Sequence, residues 1–301
     1  MVKTKTLESL ARRFLPPPLA RGAKRAAVHA RYRAQAARCR EGFETFGDRY
    51  PHPVLFIAGL PKSGTTWLER MISAWPGYHE LLIPDVAAHE LRAGGSHDYE
   101  LPENAFSRMR GMLVLTKMHV HGSAHNARVL REAGVPYAVL FRDLRDVAVS
   151  NFFYVRNTPW HPEHPVYAGL DVADGLAVFA ERTLPSYADW VRGWRDNRDP
   201  ERSIVLRYEE MLDDVRACLV RTAELFGLDA SAERIDEIAA AHDFRAMSGG
   251  RGAGQADDGS FVRKGVAGDW ANHFTPDLKE IYKDAIGEFL IEFGYERDLS
   301  W

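Results

Sequence analysis

Apolar positions in this chain switch repeatedly between unbroken runs and helical spacing. Val54–Gly59 is almost wholly apolar and partly β-branched, the pattern of a strand buried on both faces. After a turn at Leu60–Gly64, Leu68, Met71 and Ile72 recur at helical spacing from Thr65 to about Ala74. Met112–Thr116, Tyr137–Phe141 and Ile204–Arg207 are further short apolar runs, which predict three more strands. Between them, Ser123 caps a predicted helix that Gly134 stops, and Asp143–Phe153 reads as a loop entering a helix. Val172–Trp194 is helical in pattern with an interruption at Pro185, and helices are predicted over Leu212–Phe226, Ala232–His242 and Pro276–Phe293. Ile83–Asn104, Thr158–Tyr167 and Ser248–Ser260 carry glycine, proline and histidine without periodicity and read as loops, the last a flexible flap. No internal repeat is visible. Strands alternating with helices predict one parallel sheet, with ligands at the C-terminal ends of its strands.

The first fifty residues differ from the rest. Leu7, Leu10, Ala11 and Phe14 fit a short amphipathic helix ended by Pro16, and Ala26–Arg40 fits an arginine-rich helix. Residues 1–40 hold eleven Lys and Arg against Glu8 alone, a net of +10 that leaves −13 for the remainder. The segment reads either as a solvated helix on the outside of the domain or as an arm that touches anionic membrane or a partner. The division expected is a basic N-terminal helical extension over 1–50 and one catalytic domain over 51–301.

With 46% hydrophobic and 27% charged residues, 301 residues suffice to bury one full core. The overall charge of −3 argues against a general nucleic-acid binder. Two cysteines, Cys39 and Cys218, exclude a disulfide framework or zinc cluster and fit a reducing compartment. The N-terminus lacks the apolar core of a signal peptide and no stretch approaches a membrane span, so the expected location is cytoplasmic.

Chemistry concentrates first in Val54–Trp67, VLFIAGLPKSGTTW. A strand, a glycine-containing turn and a helix start converge backbone N–H groups on an anion, with the helix dipole favouring negative charge. Gly59 and Gly64 have Walker A spacing, yet Thr65-Thr66 stands where Lys-Ser/Thr would follow, and the lysine sits earlier, at Lys62. The displacement indicates a cradle for a phosphate-like group other than a Mg-bound triphosphate. The fold class is therefore α/β, a P-loop-like central parallel sheet flanked by helices on both faces. Lys62, His119 and Arg142 lie just past predicted strand ends and are expected to converge.

The motifs PKSGTTW (Pro61–Trp67), KMH (Lys117–His119), RDLRDVAVS (Arg142–Ser150) and RKGVAGDW (Arg263–Trp270), continued as NHFT, identify the family. The chain resembles the cytosolic-type sulfotransferases from about Val54 to its C-terminus. The resemblance implies transfer of a sulfuryl group from 3′-phosphoadenosine 5′-phosphosulfate (PAPS) to a hydroxyl or amine, with 3′-phosphoadenosine 5′-phosphate (PAP) as product and no metal required. Such a donor needs two anion cradles. One is Lys62, Ser63, Gly64, Thr65 and Thr66; the other is Arg142 and Ser150 with Arg263, Lys264 and Gly265, guanidinium forks suiting phosphate. The resemblance places Trp67 and Phe244 about the adenine with Tyr208 nearby, although His242 replaces the small hydroxyl residue of most relatives. His119 is the expected general base, and Lys117, on the same side of an extended chain, the clamp on the sulfuryl oxygens.

The expected acceptor is a small apolar or aromatic alcohol, met by loops near Leu81–His89, Val120–His121, Phe153–Tyr167 and Ser248–Val262, with Phe153, Tyr154, Trp160 and Tyr167 among them. Two other readings of the same residues stand beside this one: a Mg-dependent nucleotide kinase with Asp143 as metal ligand, and a regulator that binds the nucleotide without turnover. His161 and His164 read as exposed loop histidines, Arg145–Asp146 as an ion pair or helix cap, and Trp75, Trp190 and Trp194 as core. Gly249–Gly254 only loosely matches GxGxxG and follows no strand. The short segment after GDW through which many relatives dimerise is altered, Ala271 and Pro276 replacing Lys and Val, so the resemblance assigns no oligomeric state.

Overall fold

The computed structural model describes residues 17–93 and 98–301. Five parallel strands, β1 (Val54–Gly59), β2 (His79–Glu80), β3 (Val114–Met118), β4 (Tyr137–Phe141) and β5 (Ser203–Arg207), form one sheet in the order β2-β3-β1-β4-β5. All six residues of β1 are buried, as a central strand covered on both faces requires. Its alternate side chains enter different cores. Phe56 and Ala58 join Phe106, Phe152, Trp190 and Tyr282, while Leu55 and Ile57 join Leu68, Trp75, Cys218 and Phe226. Helices therefore cover both faces, and each fully buried aliphatic side chain contributes about 1.5–3 kcal/mol.

Tyr137–Phe141 forms a strand with the predicted bounds, and Ser123 caps the helix Ala124–Glu132 by accepting the Asn126 N–H at 3.0 Å. Pro185 opens a second helix, Leu184–Asn197, directly after Val172–Arg182. Three expectations need correction. β3 begins two residues later than predicted, so Lys117 lies inside the strand and His119 follows its end. The segment read as a loop from Ile83 contains the helix Pro84–Ala93, and His79–Glu80 adds a fifth strand too short and polar to announce itself. The Ser248–Ser260 flap carries no helix or strand, as expected. Arg251 fastens it internally, donating to the Gln255 and Arg263 carbonyls at 2.7 Å each, to Ser260 Oγ at 3.1 Å and to the Val262 carbonyl.

A 30-residue helix, Pro17–Phe46, precedes the sheet. Its later half is tied to the domain. Gln35, Ala36 and Cys39 are buried, the Cys39 carbonyl accepts the Leu113 N–H at 2.9 Å, and Arg31 pairs with Glu80. The predicted helix over Leu7–Phe14 lies outside the described residues. Among the described residues no helix is long and apolar enough to cross a membrane.

Candidate active site

The sheet order puts β1, β3 and β4 side by side, so the segments leaving their C-terminal ends meet. A cavity of about 1850 Å³ opens there. Its walls include Lys62, Gly64, Thr65, Thr66, Trp67, Lys117, His119, Arg142, Ser150, Tyr208, Phe244, Arg263, Lys264 and Gly265. Of the donor-site and catalytic residues expected from the sequence, Ser63 is the one not on this wall: its side chain is fully buried beneath the loop.

The turn after β1 is held in an unusual backbone conformation. Lys62 has φ +65° and Gly64 +85°, and at Gly64 any Cβ would collide with the Tyr208 ring. The helix Thr65–Ile72 then starts with N–H groups that have no partner within the helix. The Lys62 ammonium sits 3.9 Å from the Tyr154 ring centre and 4.5 Å from that of Phe261. Desolvation, with repulsion from Arg142 second, pulls its pKa down to about 7. An anion beside it reverses both effects.

His119 is held at three points of its segment. Its Nδ1 hydrogen-bonds the Gly59 carbonyl at 2.5 Å, so Nδ1 carries the proton and the lone pair lies on Nε2. Its own carbonyl accepts Trp190 Nε1–H at 2.8 Å, and the next carbonyl, of Val120, accepts Trp194 Nε1–H at 3.1 Å. The two buried indoles, predicted as core, are also pins on the strand exit. Lys117 Nζ donates to Glu69 Oε2 at 2.6 Å and to Thr66 Oγ1 at 3.3 Å. Burial raises the Glu69 pKa, against the opposing pull of Lys117. Glu69, two residues past the PKSGTTW motif, is a site residue that sequence reasoning missed; an acid one helical turn after Thr65 is its only signal.

A second stretch of the wall is positively charged. The buried Arg142 donates to the Val266 carbonyl at 2.8 Å and to Asp146 at 3.1 Å, and lies 4.3 Å over the Tyr208 ring. Asp146, fully buried, also accepts Gly268 N–H at 2.8 Å and Trp270 N–H at 2.9 Å. It therefore bolts the helix Leu144–Arg156 to the GDW segment across 124 residues of sequence, a larger role than the cap or ion pair expected of it. Asp269 in turn holds Arg263 and Lys264 together, with Asn272 at 3.0 Å. Burial alone would raise the Asp269 pKa, but hydrogen bonds from Lys264, Arg263 and Asn272 override it and hold it well below the usual carboxylate range. Asp143 is not available to a metal: it caps the helix Leu144–Arg156 and binds Arg145, which bridges to Glu296 at 2.5 Å. Among the described residues no cluster of His, Cys, Asp and Glu could hold a metal ion.

Also on the wall, Trp67 Nε1–H donates to the His242 carbonyl at 2.7 Å, which fixes the indole, and Trp67 meets Tyr208 edge-on at 6.3 Å. Gly265, with φ +65°, packs so closely on Phe244 that a Cβ would strike its ring. The remaining wall carries Leu82, Ala87, Tyr154, Trp160, Tyr187 and Phe261. Phe153 and Tyr167 are not on it, contrary to expectation. The helix turns Phe153 towards the Arg263 guanidinium, 4.8 Å away, and Tyr167 is fully buried. Nor is Val120, which is buried beneath Trp194. His161 is buried rather than exposed, and its Nδ1 accepts the Glu163 N–H at 3.2 Å. The Pro17–Phe46 helix adds Val28, Ala30, Arg31, Gln35 and Arg38 to the same cavity, a contribution with no signal in the sequence.

Comparison with known proteins places this geometry. The family model described as "Sulfotransferase domain" matches residues 52–294. Sulfotransferase 6B1 of Pan troglodytes is 26% identical over 269 residues, covering 82% of this chain and 80% of that protein. The amine sulfotransferase of Oryctolagus cuniculus is 24% identical over 273 residues, covering 80% and 83%. Among solved structures, mouse sulfotransferase SULT7A1 complexed with PAP superposes with a TM-score of 0.58 at 22% identity, covering 80% of this chain and 88% of the other. A retinol dehydratase in complex with androsterone and inactive cofactor PAP gives a TM-score of 0.58 at 20% identity, covering 81% and 82%. These structures are alike in fold.

Proposed function

The chain belongs to the sulfotransferase family, and from that premise we propose that it moves a sulfuryl group from PAPS to the hydroxyl of a small apolar or aromatic acceptor, releasing PAP. PAPS supplies a transferable sulfuryl on its 5′-phosphate and a separate 3′-phosphate. The residues present fit that shape. The carrying observation is one cavity whose wall holds a lysine-bearing helix start, three further basic side chains and several aromatic rings. Two buried donors have no protein partner, Ser63 Oγ under the loop and Arg142 Nε beside the second cluster. Arg142 Nε lies beside the basic cluster where the 3′-phosphate would meet it, whereas Ser63 Oγ lies off the cavity wall.

Lys62 and the helix N–H groups hold the 5′ end; Arg142, Ser150, Arg263, Lys264 and the Gly265 N–H hold the 3′-phosphate. Trp67 and Phe244 face the base, with Tyr208 behind Gly64. His119 Nε2 accepts the acceptor's hydroxyl proton as that oxygen bonds to sulfur and the bridging bond to the 5′-phosphate oxygen breaks. Lys117, held by Glu69 and Thr66, directs its remaining N–H at the sulfuryl oxygens, and Lys62 neutralises the charge growing on the departing phosphate. Positioned cations of this kind carry the electrostatic task without a metal ion.

The test is transfer of labelled sulfate from PAPS to a panel of phenols, steroids and lipid alcohols, with and without EDTA. Transfer that survives EDTA and disappears in His119→Ala, while PAP still binds, is the expected result. Phosphate transfer from Mg·ATP, or loss of PAP binding in His119→Ala, would overturn the assignment of roles.

A further inference from the structure

Where the N-terminal helix covers the cavity, Val28 and Ala30 with Leu82 and Ala87 supply apolar surface beside the charged Arg31 and Arg38. One uncharged polar side chain of the helix interrupts that surface. Gln35 is only 3% exposed, lines the cavity, and accepts the Leu82 N–H through Oε1 at 3.2 Å. Because a backbone N–H needs an acceptor, this bond fixes the amide orientation. Nε2, with two donor hydrogens, is the atom left for the cavity. No other hydrogen bond of Gln35 forms among the described residues.

Its place in the fold ties it to the chemistry. β2 pairs with β3 in the register His79 with Val114 and Glu80 with Leu115, and the Leu81 N–H continues the ladder to the Leu115 carbonyl at 3.1 Å. The ladder ends there, and Leu82 follows one residue later. Gln35 is thus bound to the segment leaving β2, the neighbour of the strand that carries Lys117. It also lies outside the matched family segment, which begins at residue 52.

We propose that Gln35 is a specificity contact of the acceptor site: Nε2 donates to an oxygen that the acceptor carries away from the hydroxyl to be sulfated. The acceptor class is then narrower than apolar alcohols in general. It is apolar alcohols with a second, hydrogen-bond-accepting oxygen such as a ketone. This rests on the sulfotransferase reading of the cavity, since it takes the reactive hydroxyl to be at His119. A buried donor left unpaired costs binding, so an acceptor that satisfies it is favoured about tenfold over one that does not.

The experiment measures binding of straight-chain alcohols of increasing length, and of the same alcohols bearing a ketone next to the far terminal carbon, to the PAP-loaded protein. At one chain length the ketone binds about tenfold tighter to the wild type. Gln35→Glu keeps an oxygen for the Leu82 N–H and replaces the donor with an acceptor, so it removes or reverses the ketone's advantage. A ladder with no ketone advantage at any length overturns the proposal on the wild type alone, whatever the variant's stability. An advantage that persists in Gln35→Glu overturns it equally. The PAP-induced thermal shift, recorded alongside, separates these outcomes from failure of the sulfotransferase reading, in which PAP itself does not bind.

Discussion

Lys62 is the residue where conformation, burial and charge meet. Its ammonium, held against two aromatic rings, has a pKa of about 7 in the ligand-free protein. Bound phosphate raises that pKa, so PAP binding takes up a proton wherever the free lysine is neutral. Affinity is accordingly full below pH 7 and falls as pH rises, by up to roughly tenfold per unit until the bound-state pKa is reached. Calorimetric titrations in buffers of different ionisation enthalpy read this directly. Lys62→Arg, which stays charged, flattens the profile; a slope unchanged in that variant contradicts the assignment. Glu69 is tested by a different split. Glu69→Gln releases Lys117 and removes a negative charge near the donor, so turnover falls about tenfold or more while PAP binds as well or better. A parallel loss of both would mark Glu69 as merely structural. Lys62, His119 and Arg142 were legible in the sequence because each follows an apolar run, and Arg263 only through the RKGVAGDW motif. Glu69 was not, because its partner Lys117 is 48 residues away and nothing local marks the pair.

At the scale of elements, the long apolar runs gave β1, β4 and β5 nearly complete, since a strand covered on both faces has little choice of composition. β2 escaped because its two residues, His79 and Glu80, form an edge with no apolar run. The start of β3 was misplaced because Met112 and Leu113 are as buried as the strand they precede. What no pattern announced is the joint between elements. Asp146 binds Arg142, which follows β4, and two backbone N–H groups of the GDW segment, and so sets the second anion holder's shape. Asp146→Ala leaves Arg142 buried beside two orphaned N–H groups. Denaturant titration should find it about 3–5 kcal/mol less stable, and PAP affinity should fall with it. Stability near that of the wild type would show that the joint is dispensable.

For the molecule as a whole, the sheet order brings together the segments that leave the C-terminal ends of β1, β3 and β4, and Asp146 draws the GDW segment to them. The family segment ends short of the Pro17–Phe46 helix, yet that helix walls the cavity and buries Ala36 and Cys39. A chain beginning at residue 47 should therefore unfold at lower temperature and lose acceptor selectivity. Should it match the full chain in both respects, the helix is an appendage.

The account turns on two anion holders reading two phosphates of one nucleotide. The most direct measurement is a side-by-side titration of PAP, ADP and Mg·ATP against the protein, repeated with Arg263→Ala. PAP should bind at least about a hundredfold more tightly than ADP, the added 3′-phosphate gaining two or more charge-assisted hydrogen bonds, and Arg263→Ala should erase most of that margin. Equal affinities for PAP and ADP, or tighter binding of Mg·ATP, would contradict it.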